Sequence, residues 1–445
     1  MMAKRISIKD DSATRITYLV MGYGNFVRGQ RVKGLLYFAA EVAYILYMVL
    51  FGARSLRDLV TLGTVEQSWV YDAQLGINVQ QPGDNSMLML LYGVVTLLLT
   101  AAAVIIYISS LRSAREAQEQ ATKGKKLQSF REELHSMLDE RFHITLLILP
   151  VAGVLIFTVL PLVYMILIAF TNYDSNHQPP GKLFDWVGFQ NFAGMLFERS
   201  TLSRSFFPIL LWTLVWAVLA TASNYILGIA MAVIISRKGV RFKGLWRTIL
   251  ILTIAVPQFI SLLIMRNMLN NYGAINELLL SLGWIKERIE FLTDPWLAKL
   301  SVLLVNMWIG IPYTMLISTG ILMNIPEEQY EAARVDGASP LMIFRKITLP
   351  QIFFVTTPYL ITQFIGNINN FNIIYLLTDG GPQNSDYYYA GSTDLLVTWL
   401  YKLTANHRDY SIASTIGILV FLLSAVFSII SYSRSKSFKE EEGYQ

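Results

Sequence analysis

The chain predicts an all-α fold, a polytopic transmembrane helical bundle of eight spans, and three observations carry that prediction. Of its 445 residues, 54% are hydrophobic and only 15% charged, with positive mean hydropathy, a mixture too apolar for a soluble domain. Eight apolar runs approach the roughly 20 residues that a helix needs to cross a bilayer. The polar segments between them alternate between rich and poor in Lys and Arg, as loops on opposite faces of a membrane do. Cysteine is absent, which excludes disulfide scaffolds, thiolate metal sites and thiol nucleophiles together. The net charge of +5 follows this loop alternation and does not mark a nucleic-acid partner.

The spans fall near residues 35–51, 87–109, 144–170, 209–236, 248–269, 299–323, 352–377 and 411–432. With both termini placed in the cytoplasm, the inward segments hold 25 Lys and Arg and the outward ones 9. The first run follows about thirty polar and basic residues and lacks a small-residue cleavage pattern, so it reads as a retained span. Residues 18–34 mix aromatics with Arg28, Arg31 and Lys33, which suits either an inner-surface segment or a basic flank. Glu41 is the one acidic residue inside a span, open to a buried functional role or to packing against Tyr44 or a basic neighbour. The charged stretch from Leu111 to Arg141, broken by Gly124, predicts a cytoplasmic helical hairpin. It divides an N-terminal part, residues 1–143 with two accessory spans, from a six-span core, residues 144–445.

After the third span comes Trp186-Val187-Gly188-Phe189-Gln190-Asn191-Phe192, suited to an external partner or to aromatic anchoring at the interface. In the sixth, Asn306-Met-Trp308-Ile309-Gly310-Ile-Pro312-Tyr313 carries a glycine and a proline able to interrupt a helix beside a cavity or to kink it for packing. The seventh is the most polar. On a continuous helix Gln363, Asn367 and Asn370 share one face with Phe371 beside it, and such amides are costly in lipid unless partnered. Amides and rings suit a neutral carbohydrate; amides also glue membrane helices together, and both readings stand at this point.

Between the sixth and seventh spans lies NIPEEQYEAARVDGASPLMIFRKITLP, Asn324 to Pro350. Pro326 suits a first helical turn, with Glu327, Glu328 and Glu331 near its positive end. Gly337 can close that helix in the left-handed conformation, and Ser339-Pro340 can open a second one ending before Pro350. The spacing of Glu331-Ala332-Ala333, Gly337, Ile347, Leu349 and Pro350 resembles the EAA loop of bacterial ABC importer permeases. The resemblance implies a cytoplasmic coupling helix seated on an ATP-hydrolysing partner, in a type I ABC importer permease fold.

Together the W-x-G-x-P-Y and N-x-N-N-F stretches, Leu377-Thr378-Asp379-Gly380-Gly381-Pro382 and Thr393-Asp394-Leu395-Leu396-Val397 resemble the maltose/maltodextrin permeases of the MalF type, over about residues 144–432. That family holds its sugar midway across the membrane. Carried over, the implied contacts are Ile309, Gly310, Tyr313, Gln363, Gly366, Asn367, Asn370 and Phe371. Gln363 and Gly366 stand where the family's best-known members carry a serine and an aromatic ring, so stacking there is lost and a different preferred sugar length is compatible with the resemblance. The loop after the third span has only about 36 residues where enterobacterial members carry a large folded insertion, so insertion-mediated docking of the binding protein is in doubt too. The resemblance implies a second, MalG-type permease, two ABC ATPase subunits, an extracellular solute-binding protein, an oligosaccharide cargo and a bacterial plasma membrane. Since the chain has no GxxxxGK[ST] loop, no catalytic role or bound cofactor is expected, ATP being used by the partner. The four histidines lack ligand-like spacing, so no metal site is expected either. A gradient-driven sugar transporter, the rival class, would bury a relay of ionisable residues that these spans lack.

Overall fold

The computed structural model describes residues 10–139, 142–237 and 239–433. Residues 1–9, Glu140, Arg141, Lys238 and 434–445, some counted above among the basic inward segments, lie outside the described residues. The chain forms two compact units, Met1–Gly188 and Phe189–Gln445. The third span therefore packs within the first unit, whereas the sequence division at 143/144 grouped it with the later spans.

The first unit begins with α1 (Ser12–Ile16), opened by Asp11, which accepts from the Thr14 N–H and is gripped by Arg28 at 2.6 Å. Burial alone would raise the Asp11 carboxyl, but the bonds from Arg28 and Thr14 outweigh it and hold it below the usual range. α2 (Tyr23–Val27) follows Gly22, whose φ of 78° and contact with the Gly34 backbone leave no room for a side chain. The Gly22 N–H donates to Ser110 and Asn25 donates to Ser113, each at 2.9 Å. Residues 12–27 thus include two packed short helices.

They lie against α3 (Arg31–Thr61) and α4 (Ser86–Thr122). Tyr37, Tyr44 and Tyr47 of α3 reach Ser109, Thr100 and Thr96 of α4 at 3.0, 3.1 and 2.8 Å. These bonds satisfy hydroxyls where lipid offers no partner. Glu41, on the same helix, accepts the Met21 N–H at 2.7 Å, so its partner is a backbone donor rather than Tyr44 or a basic residue. α4 runs on through the charged stretch to Thr122; Gly124 then turns left-handed, and a Ser129–Glu132 capping box opens α5 (Phe130–Leu138). The expected hairpin is accordingly an overhanging span and one short helix. α6 (Phe142–Ile168) completes the set.

One segment corrects the all-α expectation: between α3 and α4, β1 (Ser68–Asp72) pairs antiparallel with β2 (Ile77–Gln81). Alternating Val, Tyr and Ile around a Gly-containing turn is a strand signal that the search for long apolar runs passed over. In the loop after α6, the Trp186 indole donates to the Leu59 carbonyl at 3.0 Å, which ties this tryptophan to the end of α3.

In the second unit α7 (Gln190–Leu196) precedes α8 (Thr201–Ser236), which Ser200 caps. The fifth expected span is two helices, α9 (Lys243–Ala255) and α10 (Gln258–Met268), bent by 91°. Val256 before Pro257 is pushed into extended geometry and Pro257 has no N–H to give, so the helix breaks there. α11 (Ala274–Ser281) leads to α12 (Pro295–Asn324), started by Asp294 and Pro295. α12 continues unbroken through Gly310 and Pro312, so of the two readings of that pair the interruption does not occur.

α13 (Glu327–Val335) and α14 (Pro340–Ile343) form the loop helices. A π turn over Phe344–Thr348 then carries the chain straight into α15 (Leu349–Ile368), so the second loop helix does not stop before Pro350. The wider turn accommodates the missing proline N–H. The seventh span breaks again at Asn369–Asn370 before α16 (Phe371–Thr378). α17 (Leu396–Ala405) and α18 (Tyr410–Ser433) pack around the buried Trp399 and Leu403. Beside them Asp394, buried, accepts from Gly391 N–H, Thr398 and Lys402 at 2.7 to 2.8 Å. Burial pushes its carboxyl up, against the pull of Lys402 and the other two donors. Among the described residues, six single helices are long and apolar enough to span a membrane, or seven with the bent pair counted as one.

Candidate functional site

Within the second unit the helices line an open cavity of about 650 Å³. It exists because two spans break at its wall. The α9–α10 bend brings Val256, Pro257 and Gln258 to it, and the α15–α16 break brings Asn369 to Phe371. The α12 face carrying Ile309, Gly310 and Tyr313 supplies another wall, and Gln363, Gly366 and Asn367 of α15 complete it. All eight residues carried over by the resemblance therefore meet in one space.

They do so by a different route from that expected. Asn370 leaves the helical face of Gln363 and Asn367, because α15 has already ended. It instead caps α16, with Oδ1 accepting from the Ile373 N–H at 3.4 Å, and donates to Asn367 Oδ1 at 3.3 Å. Asn367 also donates to Thr221 of α8 at 2.9 Å, and its carbonyl accepts from the Trp216 indole. The helix-glue role thus belongs to Asn367. Phe371 stacks on Tyr375 with ring centroids 4.8 Å apart. A side chain added at Gly366 would meet nothing within 4 Å, so the cavity is widened there.

Sequence reasoning missed several lining residues. Asn224 of α8 and Asn306 of α12 are buried at the cavity, with Asn224 Oδ1 and Asn306 Nδ2 lacking any hydrogen-bond partner among the described residues. Their signal was available, because a lone asparagine in an apolar span is itself an anomaly. Gly310 lies so close to the Asn224 amide that any Cβ would displace it. Tyr359, whose hydroxyl bonds Thr314 at 3.0 Å, lies 5.9 Å from the Tyr313 ring. Pro257 gave no functional signal without knowledge of the bend. The lining holds eight primary amides and no charged side chain. Such a surface offers paired donors and acceptors with apolar ring faces, and it gives an ion no counter-charge.

A second concavity, of about 1640 Å³, lies around the loop helices. Gly337 has φ 76°, with Ala338 N–H returning to the Ala333 carbonyl at 2.9 Å, which closes α13. Ser339 accepts the Met342 N–H as the cap of α14. Pro326 stands one place earlier than expected, as the residue before α13. Glu331, Ala332, Gly337 and Pro350 are exposed, while Ala333, Ile347 and Leu349 are half-buried. Val335, Leu341 and Met342 project apolar side chains to the exterior, Val335 being 87% exposed. Tyr330 braces the loop against Thr348 at 3.2 Å. An apolar patch on a braced, polar-rimmed loop is the form of a protein contact.

Comparison with known proteins agrees with this arrangement. Residues 224–436 match the family described as binding-protein-dependent transport system inner membrane component. The chain is 37% identical over 425 residues to the galactooligosaccharides transport system permease protein GanP of Bacillus subtilis (strain 168), covering 95% of this chain and 97% of that one. It is 34% identical over 433 residues to the maltodextrin transport system permease protein MdxF of the same organism, covering 95% of each. Among solved structures, a bacterial ABC transporter involved in the import of the acidic polysaccharide alginate shares the fold, with TM-score 0.57 at 22% identity over 68% of this chain and 98% of that one. Apolar spans, two broken helices around a cavity and a braced loop thus coincide with family membership, and the chain belongs to the binding-protein-dependent transport system inner membrane components, as an ABC importer permease.

Proposed function

We propose that this chain carries a short neutral oligosaccharide, of maltodextrin or galacto-oligosaccharide type, through the cavity between α8, α10, α12 and α15. The observation that carries the reading is the cavity's composition: eight amides, two tyrosines and Phe371 with no charge. Hydroxyls can pair with the amides, and pyranose C–H faces can lie on the rings. Ile309, Gly310, Tyr313, Gln363, Gly366, Asn367, Asn370 and Phe371 form the sugar contacts in this reading, joined by Asn224 and Asn306. The GanP and MdxF likenesses support both sugar classes. The space at Gly366 favours a cargo bulkier there than a site carrying a ring would admit.

In the same proposal the chain crosses the membrane eight times, counting the bent α9–α10 pair and the broken α15–α16 pair, with both termini in the cytoplasm. Residues 144–445 form the transporting core and residues 1–143 an accessory. The loop from Glu331 to Pro350 takes force from one of two ABC ATPase subunits, through Glu331, Ala332, Ala333, Gly337, Ile347, Leu349 and Pro350. A second, MalG-type permease and an extracellular solute-binding protein complete the importer. The chain itself holds no cofactor, and ATP is spent by its partners.

The decisive experiment uses the complex purified from its own membrane, reconstituted in vesicles with its binding protein. Labelled maltotriose and galactotriose uptake would be measured with ATP inside and no ion gradient. ATP-dependent uptake of either sugar is expected, and the preferred one assigns the cargo. Uptake that needs an ion gradient instead would overturn the mechanism.

A further inference from the structure

The β1–β2 hairpin stands apart from everything assigned so far. A two-stranded hairpin is at best marginally stable alone. Yet it leaves Trp69 67% exposed and Tyr71 64% exposed, with Leu75 of the turn exposed as well.

The register sorts the residues. Trp69 faces Gln80 across the ladder and Tyr71 faces Asn78. Because side chains alternate between faces, both rings and both amides share one face. Val70, Val79 and Ile77 occupy the other, with Asp72. Asp72 is committed to the turn, where its Oδ1 accepts from Gln74 and Leu75 N–H at 2.8 and 3.2 Å. The aromatic face carries no charge, and its two rings rise along one strand at a spacing of about 6.7 Å, close enough to lie under successive rings of a sugar chain.

We propose that this face is a carbohydrate-binding surface, in which Trp69 and Tyr71 stack on neighbouring pyranose rings of a neutral glycan while Asn78 and Gln80 bond their hydroxyls. Trp and Tyr also anchor at membrane interfaces, so lipid is the competing occupant that lack of retardation by either glycan would favour; an acidic or basic partner finds no counter-charge on the aromatic face. The site is separate from the transmembrane cavity and rests on the proposed topology, which puts the segment between the first two spans outside the cell. There it would retain saccharide chains next to the importer, including chains too long for a 650 Å³ cavity.

The test is electrophoresis of the intact complex in nanodiscs through native gels with and without soluble amylose or galactan, polymers that the cavity cannot admit. Wild type should be retarded by at least one of them, and Trp69→Ala/Tyr71→Ala should migrate as in the plain gel. Trp69→Phe/Tyr71→Phe, which keeps both rings, should restore retardation, and Asn370→Leu should leave it unchanged. Wild type that is not retarded by either polymer, or an alanine variant retarded like wild type, would overturn the proposal. Loss of binding-protein docking in the alanine variant with retardation intact would also overturn it and assign the face to that protein. Topology is checked separately with Ala73→Cys, a unique thiol in a chain without cysteine. Labelling by an impermeant maleimide on intact cells is expected, whereas labelling only after permeabilisation would remove the outside location and the proposal with it.

Discussion

Asn370 is where the two readings of the polar seventh span separate. Its side chain caps α16 and touches Asn367, while Thr221 and Trp216, the interhelical partners, belong to Asn367. Losing such a cap costs about 1 kcal/mol, too little to unfold a helical bundle. Asn370→Leu is therefore expected to leave assembly and melting nearly unchanged and to cut uptake at least tenfold, measured in the vesicle assay. Failure to assemble with partner subunits would return Asn370 to the glue role. The amide signal was legible in the sequence because asparagines are conspicuous in apolar surroundings. What could not be read was which amide spends its bonds on the protein, since that depends on where α15 ends, and the Asn369–Asn370 break is made by local side-chain bonds that helical periodicity does not register.

At the scale of elements, the loop helices followed their punctuation. Gly337 closes α13 and Ser339 opens α14 because left-handed φ and side-chain capping are set by residues within one turn. The end of the second helix was misjudged, because Pro350 reads as a stop unless a π turn upstream absorbs it. The α9–α10 bend had its proline in view, but its 91° angle is a tertiary outcome. Space around Gly337 is open, so a side chain there meets no clash and only the positive φ penalises it. Gly337→Val should cost about 1–2 kcal/mol locally and shift the loop. The expected result is normal membrane insertion and copurification with loss of ATP-driven uptake; wild-type uptake would remove the coupling role from this corner.

For the whole molecule, the apolar helices and the family membership were legible from hydropathy and spacing, and the packing of α6 within the first unit was not. Hydropathy measures each helix alone, whereas α6 joins the first unit through contacts such as Tyr164 to the Met87 carbonyl at 3.4 Å. Removing residues 1–143 strips α6 of that neighbour. The shortened chain should melt at a lower temperature yet still give ATP-dependent uptake, if the first two spans are accessory as proposed. Complete loss of uptake in a chain that still copurifies with its partners would place those spans in the transport path.

From Pro340 to Ile368 the backbone is one continuous rod on the order of 40 Å long, at about 1.5 Å per residue. One end carries Ile347 and the other Gln363. No loop separates Ile347 from Gln363, so under the proposed coupling a displacement at one has a helical path to the other, and any such coupling is reciprocal. Under the proposed roles, a cargo that grips Gln363 and a partner that grips Ile347 alter each other's affinity by one shared factor, so the rod would report cargo as well as drive it.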